Sequence, residues 1–301
     1  MRQSVSYTAP GSNAGPQRRW LSFGEPGWRA ERVYHWLILL PLVFLGVFFI
    51  WPLLWMIARS VLEPTLGLSN YSKIVSDGPY LRVLWLTLKI SVVVTVLCLI
   101  VGYPASAAIA RSRPDRADLL TGILLIPLWT SVVIRSYAWM IFFQRNGIVN
   151  ETFLTMGLIG SPLRILQTET AVYIAMVHIL LPYMMLPLIA NMRAIDRTLL
   201  QAGEVLGAQP LRLFLKVYLP LSVPGVTAGV SLVFITALGF FITPALLGGS
   251  TTTMISQLIE QQASTFLDWP LASALASLLL AVTATLYLTF SWITSAGRTS
   301  R

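Results

Sequence analysis

Long apolar blocks separated by short polar turns dominate the chain, and their lengths set the architecture. Trp36 to Ile57 is 22 residues without a charge, enough helix to cross the roughly 30 Å hydrocarbon core of a bilayer. A second apolar block covers Leu81–Ala110, with Lys89 near its outer end where its amine can snorkel. A third runs from Leu119 to Phe143, a fourth over Thr170–Ile189, a fifth over Ser222–Leu247 and a sixth over Pro270–Ile293. The pattern predicts an all-α membrane protein of six transmembrane helices. Residues 1–30, rich in Gly, Pro, Ser and Arg, are expected to form a disordered tail rather than a cleavable signal peptide, and 31–301 the membrane domain.

The intervening segments are read from their turn residues. Residues 58–81 form an exposed loop marked by Glu63-Pro64, Ser69-Asn70 and Asp77-Gly78-Pro79. The stretch Ile148 to Ile159 is too short to span and is expected to lie along the surface or re-enter. Gly248-Gly249 ends the fifth span, and an exposed segment is expected after it. Gly225, Gly229 and Gly239 permit close helix contacts or bends.

Composition narrows the class. Of 301 residues, 55% are hydrophobic and 11% charged, far below the roughly 25% charged of soluble domains. The net charge of +9 is topology rather than a nucleic-acid footprint. Fourteen basic residues lie on the side holding both termini, against five in the opposite loops, which puts the termini in the cytoplasm. Cys98 sits inside an apolar run as a small filler, and His35 and His178 are too far apart to hold a metal. His178 reads as a packed or hydrogen-bonded core histidine. Arg135 lies within the third span. Either it anchors at the interface beside an aromatic belt of Tyr137 and Trp139, or it faces a pathway.

One polar island interrupts the second half of the chain, residues 193–220. Asp196 is placed to cap a short helix that Gly207 ends, and Pro210 suits the first turn of the next. On the first helix Leu199, Ala202, Gly203 and Leu206 form an apolar stripe, with Arg197, Gln201 and Glu204 as a separate polar one. The two small residues leave a shallow surface that a partner can approach closely.

This stretch resembles the EAA loop of ABC importer permeases: Glu-Ala-Ala, three residues, Gly, nine residues, Ile/Val, one residue, Leu-Pro. Gln201-Ala202-Gly203 stands at the Glu-Ala-Ala, followed by Gly207, Val217 and Leu219-Pro220. Gln201 and Gly203 depart from the strict pattern. The resemblance implies a type I ABC importer permease (MetI-like) fold with a cytoplasmic coupling helix. That helix would dock on an ATPase subunit through Arg197, Gln201, Ala202, Gly203, Glu204, Gly207 and Ala208.

Arg135-Ser-Tyr-Ala-Trp139, Arg145-Asn-Gly147, Leu246-Leu-Gly-Gly249 and Asp268-Trp-Pro270 extend the resemblance to the spermidine/putrescine-type branch. It implies spans three to five along the path, two facing permease chains, an ATPase dimer below and a periplasmic solute-binding protein above, all at the bacterial inner membrane. Permeases of that branch tend to carry an acid where this chain has Ala245, and some at the position of Phe240. Arg135, Tyr137, Trp139, Phe240, Phe241 and Trp269 are the candidate path residues, the aromatic rings being able to attract an ammonium. Polyamine, another small organic cation and an amino-acid-like solute all remain open.

The chain carries no phosphate cradle of its own. Its three lysines precede Ile (73, 89) and Val (216), never Ser or Thr. No acid lies deep in a span, as a proton-coupled carrier usually needs. ATP hydrolysis is therefore expected on a separate chain, and no cofactor or metal is expected here. A channel or ion-coupled carrier without an ATPase, and an assembly factor using the same loop, are the competing classes.

Overall fold

The computed structural model describes residues 28–63, 66–76 and 78–299, and every regular element among them is helical. The expected tail falls on residues outside these, except that helix α1 (Trp28–Leu45) already begins at residue 28. The chain divides into two compact units, one up to Trp55 and the other from Met56. α1 passes through a π-helical turn, Gly46–Ile50, into α2 (Trp51–Leu62), within which the division falls. The turn has a local cause, since Pro52 has no amide proton to donate to the Phe48 carbonyl. Its large side chains from Leu37 to Trp51 are nearly all exposed, as the surface of a lipid-facing helix would be.

The second unit is built on three long helices: α4 (Gly78–Arg111), α8 (Glu169–Arg193) and α11 (Leu219–Leu238), which pack on one another more extensively than any other elements. α8 is the centre. Ala175, Met176, Leu180, Met184 and Leu188 are fully buried, meeting Ile90, Val94 and Cys98 of α4 and Val233 and Ala237 of α11. Hydrocarbon lipid supplies little drive for such helices to associate, so close packing through small residues does the work. A Cβ on Gly229 would lie 2.8 Å from the Met184 sulfur and 2.9 Å from the Met184 carbonyl oxygen. One turn earlier, a Cβ on Gly225 would lie 2.7 Å from Cβ of Asn191. The two glycines thus form the close crossing expected of them, whereas Gly239 has nothing within 4 Å.

Several boundaries differ from the expected ones. The third span is broken into α5 (Pro114–Trp129) and α6 (Val132–Phe142), bent by 91°. Pro127 lacks a donor, and its carbonyl is taken by the Thr130 backbone N–H and hydroxyl at 3.2 and 2.8 Å. The chain is thereby turned out before Ser131. The fifth span begins earlier, at Pro210, and ends at Leu238. A short helix α12 (Ile242–Leu247) follows it.

The segment after Gly248 is exposed only in part, at residues such as Phe266 and Leu267. Thr252, Met254 and Ile255 are buried, and α13 (Ile255–Ser264) packs on α14 (Trp269–Thr299). The Ile255 amide donates to Thr87 Oγ1 of α4 at 2.9 Å. The 58–81 loop contains a helix, α3 (Ser69–Ser76), whose Ile74 joins Leu271 and Leu275 in a second apolar cluster. The short apolar stretch forms α7 (Ile148–Thr155). Among the described residues five helices are long and apolar enough to cross a membrane, six when the bent pair counts as one span.

Candidate functional site

The polar island folds as a helical hairpin, α9 (Arg197–Val205) followed by α10 (Pro210–Leu213). Asp196 caps α9, its carboxylate accepting from the Thr198 amide at 2.9 Å. That bond holds the carboxyl below the usual aspartate range. At the other end the Ala208 N–H donates to the Gly203 carbonyl at 3.0 Å and the Gly207 N–H to Glu204 at 2.9 Å. With φ of +76° at Gly207, this is a Schellman cap. Pro210 occupies the first turn of α10, as its missing donor and fixed φ favour.

The hairpin is continuous with the bundle. α10 passes through a π-helical turn, Phe214–Tyr218, into α11, the turn preceding Pro220 as the first one precedes Pro52. Side chains brace it. The Arg111 guanidinium at the end of α4 lies 4.5 Å from the Tyr218 ring centroid. Tyr103 shares a hydrogen bond of 2.9 Å with Ser222 and meets Phe214 edge-on at 6.1 Å. Arg193 at the end of α8 pairs with Asp118 of α5 at 2.7 Å. α10 is thus joined to α11 by continuous helix, and the junction between them touches α4 directly.

Not every residue of the expected docking set faces outward. Gln201, Ala202, Glu204 and Gly207 are exposed and Ala208 is half-buried, while the Arg197 side chain lies outside the described residues. Gly203 does not offer a free shallow surface: a Cβ there would lie within van der Waals radii of Leu213 Cδ1 of the same hairpin. Leu213 itself is only 8% exposed. The gap at Gly203 is therefore filled from within. The outward apolar face is instead Val205 and Leu206, 88% and 86% exposed, with Leu211 beside them. Val205 and Leu211 lie off the stripe that helical spacing picks out, so periodicity alone did not reveal them.

A reciprocal size test follows. Gly203→Leu should open the hairpin at a cost of about 1–3 kcal/mol, the usual range for overpacking, and should lower coupled uptake. Leu213→Ala in the same chain should restore much of it. Uptake by the single and double variants checks this, and a double variant no better than Gly203→Leu would contradict the internal contact.

The six candidate path residues do not converge on one site. Arg135 is buried and braces the helix break: its Nη2 donates to the Thr130 carbonyl at 3.2 Å, just past the C-terminus of α5, where a cation is favoured. Its Nε and Nη1 have no hydrogen-bond partner among the described residues. Its guanidinium is thus turned inward onto the helix break. Next to it Ser136 shares a 2.7 Å hydrogen bond with Thr243 of α12.

Trp139 stacks on Phe143 at 5.0 Å and donates Nε1–H to Nδ1 of His178 at 3.2 Å. His178 is on the exposed face of α8. It is hydrogen-bonded but is not a core residue, and its exposure was not legible without the fold. Tyr137 and Phe241 are exposed, while Phe240 packs against the main core. Trp269 already carries the Arg59 guanidinium at 5.7 Å from its ring centroid. That contact leaves less of the ring for a solute cation.

The chain is thus a bundle of apolar spans bearing a capped helical hairpin with exposed apolar residues. The chain belongs to the family described as "Binding-protein-dependent transport system inner membrane component", which matches residues 24–295. It is 36% identical over 233 residues to the spermidine/putrescine transport system permease protein PotB of Escherichia coli (strain K12), covering 77% of this chain and 84% of that protein. The PotB of Haemophilus influenzae is also 36% identical, over 69% of this chain and 72% of its own length.

Among solved structures, a chain of a bacterial ABC transporter involved in the import of the acidic polysaccharide alginate superposes with a TM-score of 0.70. It covers 89% of this chain and 96% of that one at 15% identity, a likeness of fold. The protein is accordingly an inner-membrane permease subunit of a binding-protein-dependent ABC importer, and not itself an enzyme.

Proposed function

We propose that this chain is one of two different permease subunits in an ATP-driven importer of polyamines or a related small organic cation. It works with a separate ATPase dimer and a periplasmic solute-binding protein, and its termini and coupling hairpin face the cytoplasm. The observation that carries the mechanism is the helical continuity of α10, the Phe214–Tyr218 turn and α11, with α9 folded back against α10. A hairpin seated on an ATPase through Val205, Leu206 and Leu211, with Gln201, Ala202 and Glu204 around them, would move with that ATPase and carry α11 along. The Arg111–Tyr218 contact would take the same motion to α4. Excess basic charge on the hairpin side supports the orientation.

The relatives named for spermidine/putrescine transport support the solute class. Ala245 and Phe240 favour a second reading, a solute of lower charge, because a polycation in a low-dielectric path gains from fixed carboxylates. Cells carrying the complete system, with and without this chain, should be tested for uptake of labelled spermidine. Uptake that requires the chain and is competed by putrescine is expected; uptake indifferent to the chain, or no competition, rejects the polyamine reading.

A further inference from the structure

A basic cleft of about 440 Å³ opens at the end of the bundle remote from the coupling hairpin. Its walls are residues 143–145 after α6 and 163–167 before α8, whose 25 residues separate it from the hairpin by roughly 37 Å of helix. Arg145 stands on one wall and Arg164 on the other. Both are exposed, and neither has an ion pair or hydrogen bond among the described residues. The nearby acid Glu169 is already taken, accepting from Lys89 and from Tyr173 at 2.7 Å each. The cleft therefore has positive charge with no internal counter-charge.

The walls are held in place. Asn150, with no exposed surface, donates Nδ2–H to the Gln144 carbonyl at 3.1 Å and to the Leu163 carbonyl at 3.0 Å. Its Oδ1 accepts from the Leu163 amide at 2.8 Å. One buried side chain thus fixes the residue immediately before each arginine. Gly147 makes the tight turn below: a Cβ there would lie 2.5 Å from the Ile141 carbonyl oxygen. On the far wall the Gln167 amide is tied to the Leu247 carbonyl at 2.8 Å.

We infer that this cleft receives an acidic side chain of the solute-binding protein, with Arg145 and Arg164 as the two recognition residues. This rests on the reading of the chain as a binding-protein-dependent permease. Two guanidiniums repel a polycation, so the occupant is not the solute. Guanidinium forks match carboxylate geometry, and Gln144 and Gln167 add amide groups at the rim. The location is the end of the bundle where a protein delivering solute to the importer must sit, opposite the hairpin.

The test uses the whole importer in nanodiscs of phosphatidylethanolamine, with and without phosphatidylglycerol. The probe is the fluorescently labelled, solute-loaded binding protein. The double variant Arg145→Glu/Arg164→Glu should raise its Kd by at least about tenfold at low salt. That gap should shrink as salt screens the pair. Arg145→Lys/Arg164→Lys, which keeps the charge but not the planar fork, should give a Kd between those of the unaltered and charge-reversed importers.

Equal Kd values for the unaltered and charge-reversed importers overturn the inference alone. A difference that appears only with phosphatidylglycerol also overturns it, in favour of an anionic lipid headgroup. An unaltered importer that captures no binding protein in any condition overturns this inference together with the reading beneath it.

Discussion

Gly229→Leu is expected to prevent accumulation of correctly folded protein. The first added carbon already meets both the sulfur and the carbonyl oxygen of Met184, at 2.8 and 2.9 Å. Met184 is fully buried at the centre of α8, so neither side of the contact has room to give. The side chain of Met184 can swing aside but its backbone cannot, and α8 and α11 must separate along their length. Overpacking of a core usually costs 1–3 kcal/mol; a clash with backbone at the closest helix crossing belongs at or beyond about 3 kcal/mol. Adding Met184→Ala should not rescue the variant, because the carbonyl remains. Gly239→Ala, with no atom within 4 Å, serves as the tolerated control. Monodisperse yield in detergent and thermal unfolding check the series. A Gly229→Leu protein as stable as the Gly239→Ala protein would show that α8 and α11 do not cross at this point.

The second large effect is the opposite in kind. Val205→Asp/Leu206→Asp should leave the fold intact and abolish ATPase association. At 88% and 86% exposure these side chains contribute almost nothing to the packing of the chain, and surface substitutions of this sort usually change stability by less than about 0.5 kcal/mol. In a docked hairpin the same two positions would be desolvated. Forcing carboxylates into such a contact costs several kcal/mol, and about 3 kcal/mol already exceeds a hundredfold in affinity. Co-purification of the ATPase with the variant permease, alongside a thermal-unfolding curve, separates the two effects. Gln201→Glu, which restores the acid of the EAA pattern at an exposed position, should be tolerated. A double-Asp variant that still retains its ATPase would remove Val205 and Leu206 from the interface.

Local chemistry was legible in the residues, while contacts between distant segments were not. Asp196, Gly207 and Pro210 each act within a few residues of themselves, and the hairpin they define is where the sequence places it. The spans at Leu37–Leu62, Gly78–Arg111, Glu169–Arg193 and Trp269–Trp292 follow from apolar length alone; a further one, Pro210–Leu238, is placed by it but not bounded by it, because the helix continues from the hairpin. The break after Trp129 has a local signal, Pro127 followed by Thr130-Ser131. Apolar length nevertheless runs straight through it, so a single span was the natural reading.

Gly203 illustrates the limit. Helical spacing puts it on the apolar stripe, but only the fold-back of α10 reveals that Leu213 fills its place. His178 looked like a core residue because most of α8 is buried; its pairing with Trp139 joins residues 39 apart and depends on how α6 turns back toward α8. The burial of Met254 and Ile255 likewise rests on contact with α4, which no local pattern announces.

The most direct test of the account is uptake into proteoliposomes containing this chain and its partner permease. The binding protein and labelled spermidine are supplied outside, and ATP is enclosed, with or without the ATPase dimer bound at the inner face. The account predicts uptake only when ATPase and ATP are both present, and its loss when the hairpin carries Val205→Asp/Leu206→Asp. Uptake at the same rate from liposomes lacking the ATPase would contradict it.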